Sequence, residues 1–338
     1  MTSYERVGVN LDAADELVDR IGWRVTSTWT EDVVGGFGGF AAGLQIPAGF
    51  EHPVLMMSTD GVGTKVDIAR QAGLFEGLGY DAVAMVADDL AAAGAQPIAL
   101  TDYIAVGMLD LDTIETILES ITDACAEADI ALLGGETAEH PGVMAADQFD
   151  ISATALGIVE LGDEIDTDRV SPGDVIVGVK SPNLRSNGFS LVRAIVEKHL
   201  PLDEPFPDTD VPTAHVLLEP SIVYSPAIMN LMARVQPHGL SHITGGGLPG
   251  KVVRVLPEGT RAILDRSKWE VPHVFEVLQR LGEVPPGDMF RTFNMGIGFV
   301  AIVAETDVDA TLKAFETSDL EAAVIGRIIE GDKGIEIR

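Results

Sequence analysis

The sequence predicts a mixed α/β protein (α/β or α+β) built from two domains. At 338 residues it is longer than one hydrophobic core usually supports. In both halves, short apolar runs typical of buried strands alternate with amphipathic segments typical of helices. The polar, turn-rich run 162–173 is the best boundary between them. We therefore predict a first domain of residues 1–166 and a second of residues 167–338.

The predicted elements of the first half follow from its apolar periodicity. Pro53–Met57 reads as a buried strand, Asp81–Ala93 as a helix and Ile98–Val106 as a second strand. The clearest helix runs from Asp112 to about Asp129, because its apolar residues recur at i, i+3, i+4, i+7 and i+11. Further strands are predicted at 130–133 and 151–159.

The second half is predicted to continue the same alternation. The Pro- and Asp-rich run 201–212 predicts a surface loop. Strands are expected at 175–179, 262–264 and 298–303 and at the C-terminus, and helices at 189–199, 221–235, 248–255, 272–281 and 308–316.

The net charge of −31 is the most unusual bulk property, with 53 acidic against 22 basic residues. It argues against a nucleic-acid partner, which would require a basic stripe. Because the acidic residues are spread along the whole chain, we interpret them as an adaptation to a high-salt cytoplasm, where ions screen the self-repulsion. The halophilic interpretation concerns habitat and says nothing about chemistry.

The single cysteine and the hydropathy pattern bear on the compartment. Cys125 cannot form an internal disulfide, so a reduced, cytoplasmic setting is expected. Its position on the apolar face of the clearest helix predicts a packed core thiol. No apolar run approaches membrane-spanning length and no signal pattern is visible, so no membrane partner is expected.

The segment Ser58–Lys65 gives the most informative chemical signal, because it follows a predicted strand. It combines a carboxylate, bare backbone amides and an ammonium group, which are the components needed to hold a phosphate with its magnesium ion. It is not a Walker A loop, since Thr64 precedes Lys65, and it lacks the dinucleotide-binding spacing. Taken alone, the segment is equally compatible with a tight turn that binds nothing.

Three further loops share this character, each at the end of a predicted strand or the start of a helix, where free amides can receive an anion. They are Gly134–Glu139, Ser186–Gly188 and His242–Gly247. No Cys/His cluster suggests zinc, and no G-x-S-x-G motif suggests acyl transfer.

Two carboxylates interrupt apolar elements. Asp89 lies in the predicted helix and Asp102 in the second predicted strand, and a charge buried at either position would have to be paired or functional. A solvated helix face is the alternative for Asp89, and a water-facing edge strand is the alternative for Asp102. A lone histidine such as His242 is most often structural, but its Gly-rich neighbours favour a site.

In order and spacing, these motifs resemble the phosphoribosylformylglycinamidine cyclo-ligase family, also called aminoimidazole ribonucleotide synthetases. The resemblance extends from Tyr4 to the C-terminal strand. The matching segments are Gly35–Gly39, Asp60–Lys65, Gly134–Glu139, Ser186–Gly188 with Ser190–Arg193, His242–Gly247, and Arg291–Asn294 followed by Gly296 and Gly298.

The resemblance implies two α/β domains, the first of which forms a barrel-like core with its copy in a homodimer. It implies ATP and Mg²⁺ as cofactors and formylglycinamidine ribonucleotide as the small-molecule substrate. ATP would phosphorylate the formyl oxygen, the ribose-bearing amidine nitrogen would attack the formyl carbon, and phosphate would leave. The products would be aminoimidazole ribonucleotide, ADP and phosphate, in purine biosynthesis.

Site residues carry over at the matching positions. The resemblance implies Asp60, Asp89 and Glu136 as magnesium ligands and Lys65 as a catalytic contact to the triphosphate. It implies His242 for proton transfer or oxyanion stabilisation, with Asn187 as a further catalytic residue. The remaining residues implied for ATP or phosphate are Gly61, Gly63, Thr64, Asp102, Gly134, Gly135, Arg185, Ser186, Gly188, Gly245, Gly246 and Gly247.

Two positions depart from the family pattern. The family usually has His where this chain has Arg185, and an arginine cannot act as a general base, so it is expected to grip a phosphate instead. Asp88 stands where the family more often has Asn. The extra carboxylate either raises the demand for Mg²⁺ or adds only to the surface acidity.

Two alternatives remain from the sequence. One is a kinase-like relative of the same architecture, such as a selenophosphate synthetase or a thiamine-monophosphate kinase. The selenophosphate branch is disfavoured because Gly35–Gly39 contains no cysteine and Cys125 lies mid-helix. The other is a catalytically inactive nucleotide sensor, which Arg185 leaves open and which would bind ATP without turnover.

Overall fold

The structure is a computed structural model that describes residues 11–338, so the start of the resemblance at Tyr4 lies outside the described residues. It confirms the mixed α/β class. The chain divides into two compact units. The first contains the residues up to Leu90 together with Gln96–Leu161 and Pro220–Val223, and the second contains Ala91–Ala95, Gly162–Glu219 and Tyr224–Arg338.

The first unit is built around a four-stranded sheet in the order β3-β6-β4-β5, in which only β4 and β5 run parallel. Its elements are α1 (Leu11–Ser27), β1 (Val33–Val34), β2 (Gly43–Leu44), β3 (Pro53–Gly61), α2 (Lys65–Ala72), α3 (Leu78–Ala92), β4 (Gln96–Val106), α4 (Leu111–Glu127), β5 (Ala131–Glu139) and β6 (Phe149–Glu160). The last residues of α3 fall in the second unit.

The periodicity of α4 decides how this unit packs. The predicted apolar face, including Ile117, Ile121 and Cys125, is fully buried, which confirms Cys125 as a core thiol. Asp110 caps the helix by accepting a hydrogen bond from Thr113 N at 2.9 Å. Burial in this apolar setting raises the pKa of the Cys125 thiol, which makes it a poor nucleophile.

The second unit contains a six-stranded sheet in the order β12-β9-β11-β7-β10-β8, antiparallel except for β12 and β9. Strand β10, which lies between β7 and the edge strand β8, is buried along its entire length. Its elements are β7 (Val175–Lys180), α5 (Phe189–His199), α6 (Thr213–Leu218), α7 (Ser225–Met232), β8 (Gly239–His242), α8 (Gly247–Val252), β9 (Thr260–Leu264), α9 (His273–Leu281), α10 (Pro286–Thr292), β10 (Ile297–Val303), α11 (Val308–Glu316), β11 (Ala322–Glu330) and β12 (Gly334–Ile337).

Several predicted bounds were wrong, for identifiable reasons. β5 continues through the Gly-rich segment to Glu139, because parallel pairing with β4 satisfies its backbone groups. α7 begins at Ser225 instead of at 221, because residues 220–223 join the first unit. α6 and α10 were not predicted, since helices this short show too little periodicity.

Candidate functional site

Strand pairing in the first sheet brings three residues that were predicted for the site into one row: Asp60, Asp102 and Gly135. Asp60 pairs with Ala153, Ala153 with Asp102, and Asp102 with Gly135. Two strand spacings separate Asp60 from Asp102, or about 10 Å. A side chain at Gly135 would collide with Asp102, because its Cβ would lie 2.2 Å from Asp102 Oδ1. Glycine is therefore required where the Asp102 carboxyl group lies against the neighbouring strand.

A cavity of about 670 Å³ opens beside this row. It lies between the apolar residues of α1, the Gly-rich segment from Gly36 to Ala42, Asp102 and the segment Gly134–Thr137. The fold thus brings together three sequence motifs that are far apart in the chain. The volume is within the range of small-molecule sites in proteins.

Asp102 is the most perturbed carboxyl group of this cavity. The residue is only 7% exposed. Burial raises its pKa to about 7, and the charge of Glu136 acts in the same direction, while a backbone hydrogen bond opposes the shift. Of the alternatives left open by the sequence, the water-facing carboxylate is excluded for Asp102.

The three carboxylates expected on magnesium do not form one cluster. Glu136 pairs with Tyr103, one residue beyond the Asp102–Gly135 pair, so strand alternation directs it to the opposite face of the sheet. Asp60 is exposed and accepts a hydrogen bond from Gly61 N at 2.7 Å. Within residues 11–338, no group of three or more His, Cys, Asp or Glu is arranged to hold a metal ion.

The tandem carboxylates of α3 differ in exposure. Asp89 is partly buried, whereas Asp88 is fully buried, which rules out surface acidity as the role of Asp88. A third carboxylate of this helix, Asp81, is also fully buried and was missed from the sequence. Its signal in the sequence is the same as that of Asp89, since a charge in an apolar helix needs a partner.

Lys65 departs from its expected place at the triphosphate. Its Nζ lies 2.6 Å from Asp81 Oδ2, and both side chains are fully buried. Asp81 Oδ1 also accepts hydrogen bonds from Ser221 Oγ at 2.5 Å and Ser221 N at 3.1 Å. Because Lys65 opens α2, its stem enters the core instead of remaining in the loop. In this structure the ammonium group is paired with Asp81, and the contact of Lys65 with the triphosphate stays a prediction.

In the second unit, Arg185 and His242 form a buried pair. Arg185 Nη2 lies 3.0 Å from His242 Nε2, and the guanidinium carbon lies 4.7 Å from the centre of the Tyr224 ring. Arg185 is fully buried and His242 is 4% exposed. In this structure the guanidinium group is directed at the imidazole ring, and a bidentate contact of Arg185 with a phosphate stays a prediction.

The Gly-rich loops of this unit are tied to each other. Asn187 Oδ1 accepts a hydrogen bond from Gly245 N at 2.9 Å, and Gly247 N donates to Thr244 O at 2.9 Å. Two of the three glycine amides expected on phosphate are thus already bonded within the protein. Gly247 has a φ of +58°, and a Cβ there would lie 2.0 Å from Phe290 O, so only glycine fits.

Most of the remaining glycines and hydroxyls lie at the ends of helices or strands, whereas Gly134 lies within β5. Gly63 and Thr64 precede α2, and Gly188, with a φ of 80°, precedes α5. Gly134, with a φ of 156°, lies at the register shift where β5 pairs with β4. Ser186 is partly buried.

No helix in the described part of the chain has the length and hydropathy to cross a membrane.

Comparison with known proteins places both halves of the chain in one group. Residues 27–159 match the N-terminal domain of AIR synthase related proteins, and residues 171–337 match their C-terminal domain. The chain is 42% identical to the phosphoribosylformylglycinamidine cyclo-ligase of Sorangium cellulosum, over 99% of this chain and 98% of that protein. It is 40% identical to the enzyme of the same name from Myxococcus xanthus, over 98% and 96% of the two chains.

Solved structures share the fold at lower identity. Thiamine-monophosphate kinase from Stenotrophomonas maltophilia gives a TM-score of 0.69 at 24% identity, covering 95% of each chain. Hydrogenase maturation protein HypE in complex with ATP gives a TM-score of 0.68 at 19% identity, covering 98% of this chain and 93% of that one. These similarities establish a shared fold only. The chemistry is inferred from the relatives of higher sequence identity.

Proposed function

Because the chain belongs to the phosphoribosylformylglycinamidine cyclo-ligase family, we propose that it catalyses the ATP-dependent ring closure that gives the family its name. The reaction converts formylglycinamidine ribonucleotide to aminoimidazole ribonucleotide in purine biosynthesis. The observation that carries this conclusion is 42% identity to a cyclo-ligase over 99% of the chain, an alignment that includes both units.

The chemistry explains why the reaction needs ATP. An amide oxygen is a poor leaving group, and transfer of the γ-phosphoryl group to the formyl oxygen makes it a good one. The ribose-bearing amidine nitrogen then attacks the formyl carbon, the C–O bond breaks, and phosphate departs as the nitrogen loses its proton. The protein mainly has to position two anionic ligands and offset the developing charge.

We assign the nucleotide to the cavity of the first unit. Its Gly-rich wall from Gly36 to Gly39 allows close approach of a ligand, and the apolar residues Leu17, Ile21 and Leu118 suit an aromatic base. Asp102, placed on the wall beside Gly135, supplies a polar contact there. ATP is the cofactor that this activity implies.

Magnesium is assigned to Asp60, with Asp89 and Glu136 as the other candidate ligands. The exposed carboxylate of Asp60 suits this hard cation, which would take most of its remaining ligands from phosphates and water. Glu136, on the opposite face of the sheet, could reach only a separate ion. When bound, the ion would offset negative charge on the triphosphate. The protein's own task is to hold the carboxylates in place, which the β3–β6–β4 register does for Asp60.

A homodimer is proposed through the open face of the first sheet. On that face Met57 is 71% exposed, Leu55 51% and Tyr103 41%. The strand pairing puts all three side chains on the face opposite Asp60 and Asp102. An apolar sheet face of this kind is typically covered in the functional protein, and a second copy of the chain fits the family expectation.

We also propose that the surface acidity is an adaptation to salt. A net charge of −31 in 35.8 kDa causes strong self-repulsion in dilute buffer and little in concentrated salt.

The deciding experiment measures phosphate release from ATP and Mg²⁺ in concentrated KCl, with and without formylglycinamidine ribonucleotide. We expect release that depends on this substrate, with aminoimidazole ribonucleotide formed in equal amount. Thiamine monophosphate, the substrate class of the structurally similar kinase, serves as the control acceptor. Binding of ATP without release in the presence of formylglycinamidine ribonucleotide would overturn the proposal in favour of a sensor.

A further inference from the structure

The buried contact between Arg185 and His242 restricts the protonation of the imidazole ring. An arginine side chain has only donors, so at 3.0 Å the guanidinium group donates and His242 Nε2 must accept. An accepting Nε2 carries no proton. If both ring nitrogens were protonated, the N–H of His242 Nε2 would face an N–H of Arg185, and two positively charged groups would be in contact. In this arrangement His242 is therefore neutral, with its proton on Nδ1.

The arginine is held in place from several sides. Its backbone adopts a left-handed φ of 59°, and its N–H donates to Asn183 Oδ1 at 3.0 Å. The guanidinium group stacks on Tyr224, whose hydroxyl donates to Lys180 O at 2.7 Å. A non-glycine residue in this conformation persists only where its surroundings enforce it. The group is thus a fixed donor, not a mobile surface arginine.

The imidazole ring is fixed as well. His242 pairs with Phe299 across β8 and β10, and the two rings stack with centroids 6.1 Å apart and planes inclined by 17°. The ring therefore has little freedom to rotate and exchange the roles of its nitrogens. The arginine contact determines which nitrogen carries the proton, and the stacking on Phe299 limits rotation of the ring.

We propose that Arg185 is a positioning residue that fixes His242 as a neutral ring protonated on Nδ1, so that His242 serves the reaction as a hydrogen-bond donor and not as a base at Nε2. The catalytic part of this inference rests on the proposed function, whereas the tautomer does not. With its proton on Nδ1, His242 would stabilise an oxyanion by donating a hydrogen bond, and its Nε2 would not abstract a proton. The histidine that the family usually has at this position is able to donate or accept, so it would not impose one tautomer.

The test is nitrogen NMR of the intact protein labelled with ¹⁵N-histidine, without substrate, with H242N to assign the signals and exposed His199 as an internal reference. We expect His242 to show a protonated Nδ1 and an unprotonated Nε2. In R185M, which removes the donor but keeps an unbranched stem, we expect this preference to disappear. R280M, which changes an exposed arginine of the same unit, should leave the His242 signals unchanged.

The kinetic counterpart uses the same variants. R185M should lower kcat about tenfold, within the range typical for loss of a partner that orients a functional side chain, while the KM for ATP stays within about twofold. R185H should show mixed tautomers and retain more activity than R185M. A merely structural role of Arg185 would not move the tautomer at all in folded R185M.

Two results would overturn the inference. One is a wild-type His242 that carries its proton on Nε2 or on both nitrogens. The other is an unchanged tautomer in R185M whose near-ultraviolet circular dichroism matches the wild type. If R185M does not fold, the inference is tested by the tautomer of His242 in the ¹⁵N spectra of the wild type and of R185H. Failure of the cyclo-ligase assay with the expected tautomer present would refute the function and leave the positioning role intact.

Discussion

Lys65 and Asp81 form a fully buried ion pair, with Nζ 2.6 Å from Oδ2, directly after the loop that gave the strongest sequence signal. The pair continues to Ser221, which donates to Asp81 through both its hydroxyl and its backbone amide. Since Pro220–Val223 belongs to the first unit, this network fastens a segment from the second half of the chain into that unit. Lys65 therefore has a structural role in addition to its predicted contact with the triphosphate.

Breaking this pair should destabilise the protein strongly. Removing one partner leaves the other charge buried and uncompensated, which costs about 3–5 kcal/mol. We expect K65M and D81N each to lower the free energy of unfolding by this amount in urea titrations. The double variant should lose less than the sum of the two, because the partners are coupled. K313Q, at the exposed Lys313–Glu316 pair, is the matched control and should cost at most about 1 kcal/mol. A K65M that is no less stable than K313Q contradicts the assignment.

Asp102 should make stability depend on pH. Burial raises its pKa from the ordinary value of 3.8 to about 7 in the folded chain, so between these values the folded state binds more protons than the unfolded state. Stability therefore falls as pH rises through this window. The difference in unfolding free energy between wild type and D102N should change by up to about 4 kcal/mol from pH 4 to pH 8, with D102N relatively favoured at the higher pH. The exposed D332N should give a curve parallel to the wild type. A D102N curve that is also parallel would count against the shifted carboxyl group.

The magnesium assignment predicts an ion-dependent loss of nucleotide affinity. D60N should weaken ATP binding about tenfold in Mg²⁺ and change it little in EDTA, as measured by calorimetry. The reason is that this carboxylate would contact the ion instead of the nucleotide. D150N removes an exposed carboxylate from the same sheet and should have no effect in either buffer. Equal losses with and without Mg²⁺ would point to a direct or structural role.

The exposed sheet face predicts the oligomeric state. The wild type should sediment as a dimer of 35.8 kDa chains, and M57E should sediment as a monomer, because a charge would have to be buried at the centre of the interface. V211E adds the same charge at a side chain that is 46% exposed in the second unit and should remain dimeric. A monomeric wild type at micromolar concentration would refute this interface.

The surface charge predicts a salt requirement. The melting temperature should rise steeply with KCl from dilute buffer to molar concentration, because added ions screen the repulsion among acidic residues. Differential scanning calorimetry across a KCl series provides the measurement, and a series in sucrose controls for general co-solvent effects. Full stability in dilute buffer would argue against salt adaptation.

The sequence by itself determined the features that depend on local pattern and residue type. The apolar periodicity of 189–199 and 308–316 predicted α5 and α11 with the bounds observed. The composition of the Gly-rich loops, in order along the chain, was sufficient to indicate the family before any contact was known. These signals are local, because a helical face or a phosphate-binding turn depends on residues that are close together in the sequence.

Only the tertiary structure decided which partner each charged side chain has. Lys65 and Arg185 were both expected to face phosphates, and both are directed inward, to Asp81 and to His242. Periodicity predicts that a segment has a buried face but not which distant segment packs against it. His242, for example, lies 57 residues from Arg185 in sequence. The cost of leaving a buried charge unpaired makes these long-range pairings specific, and that cost exists only once the chain has folded.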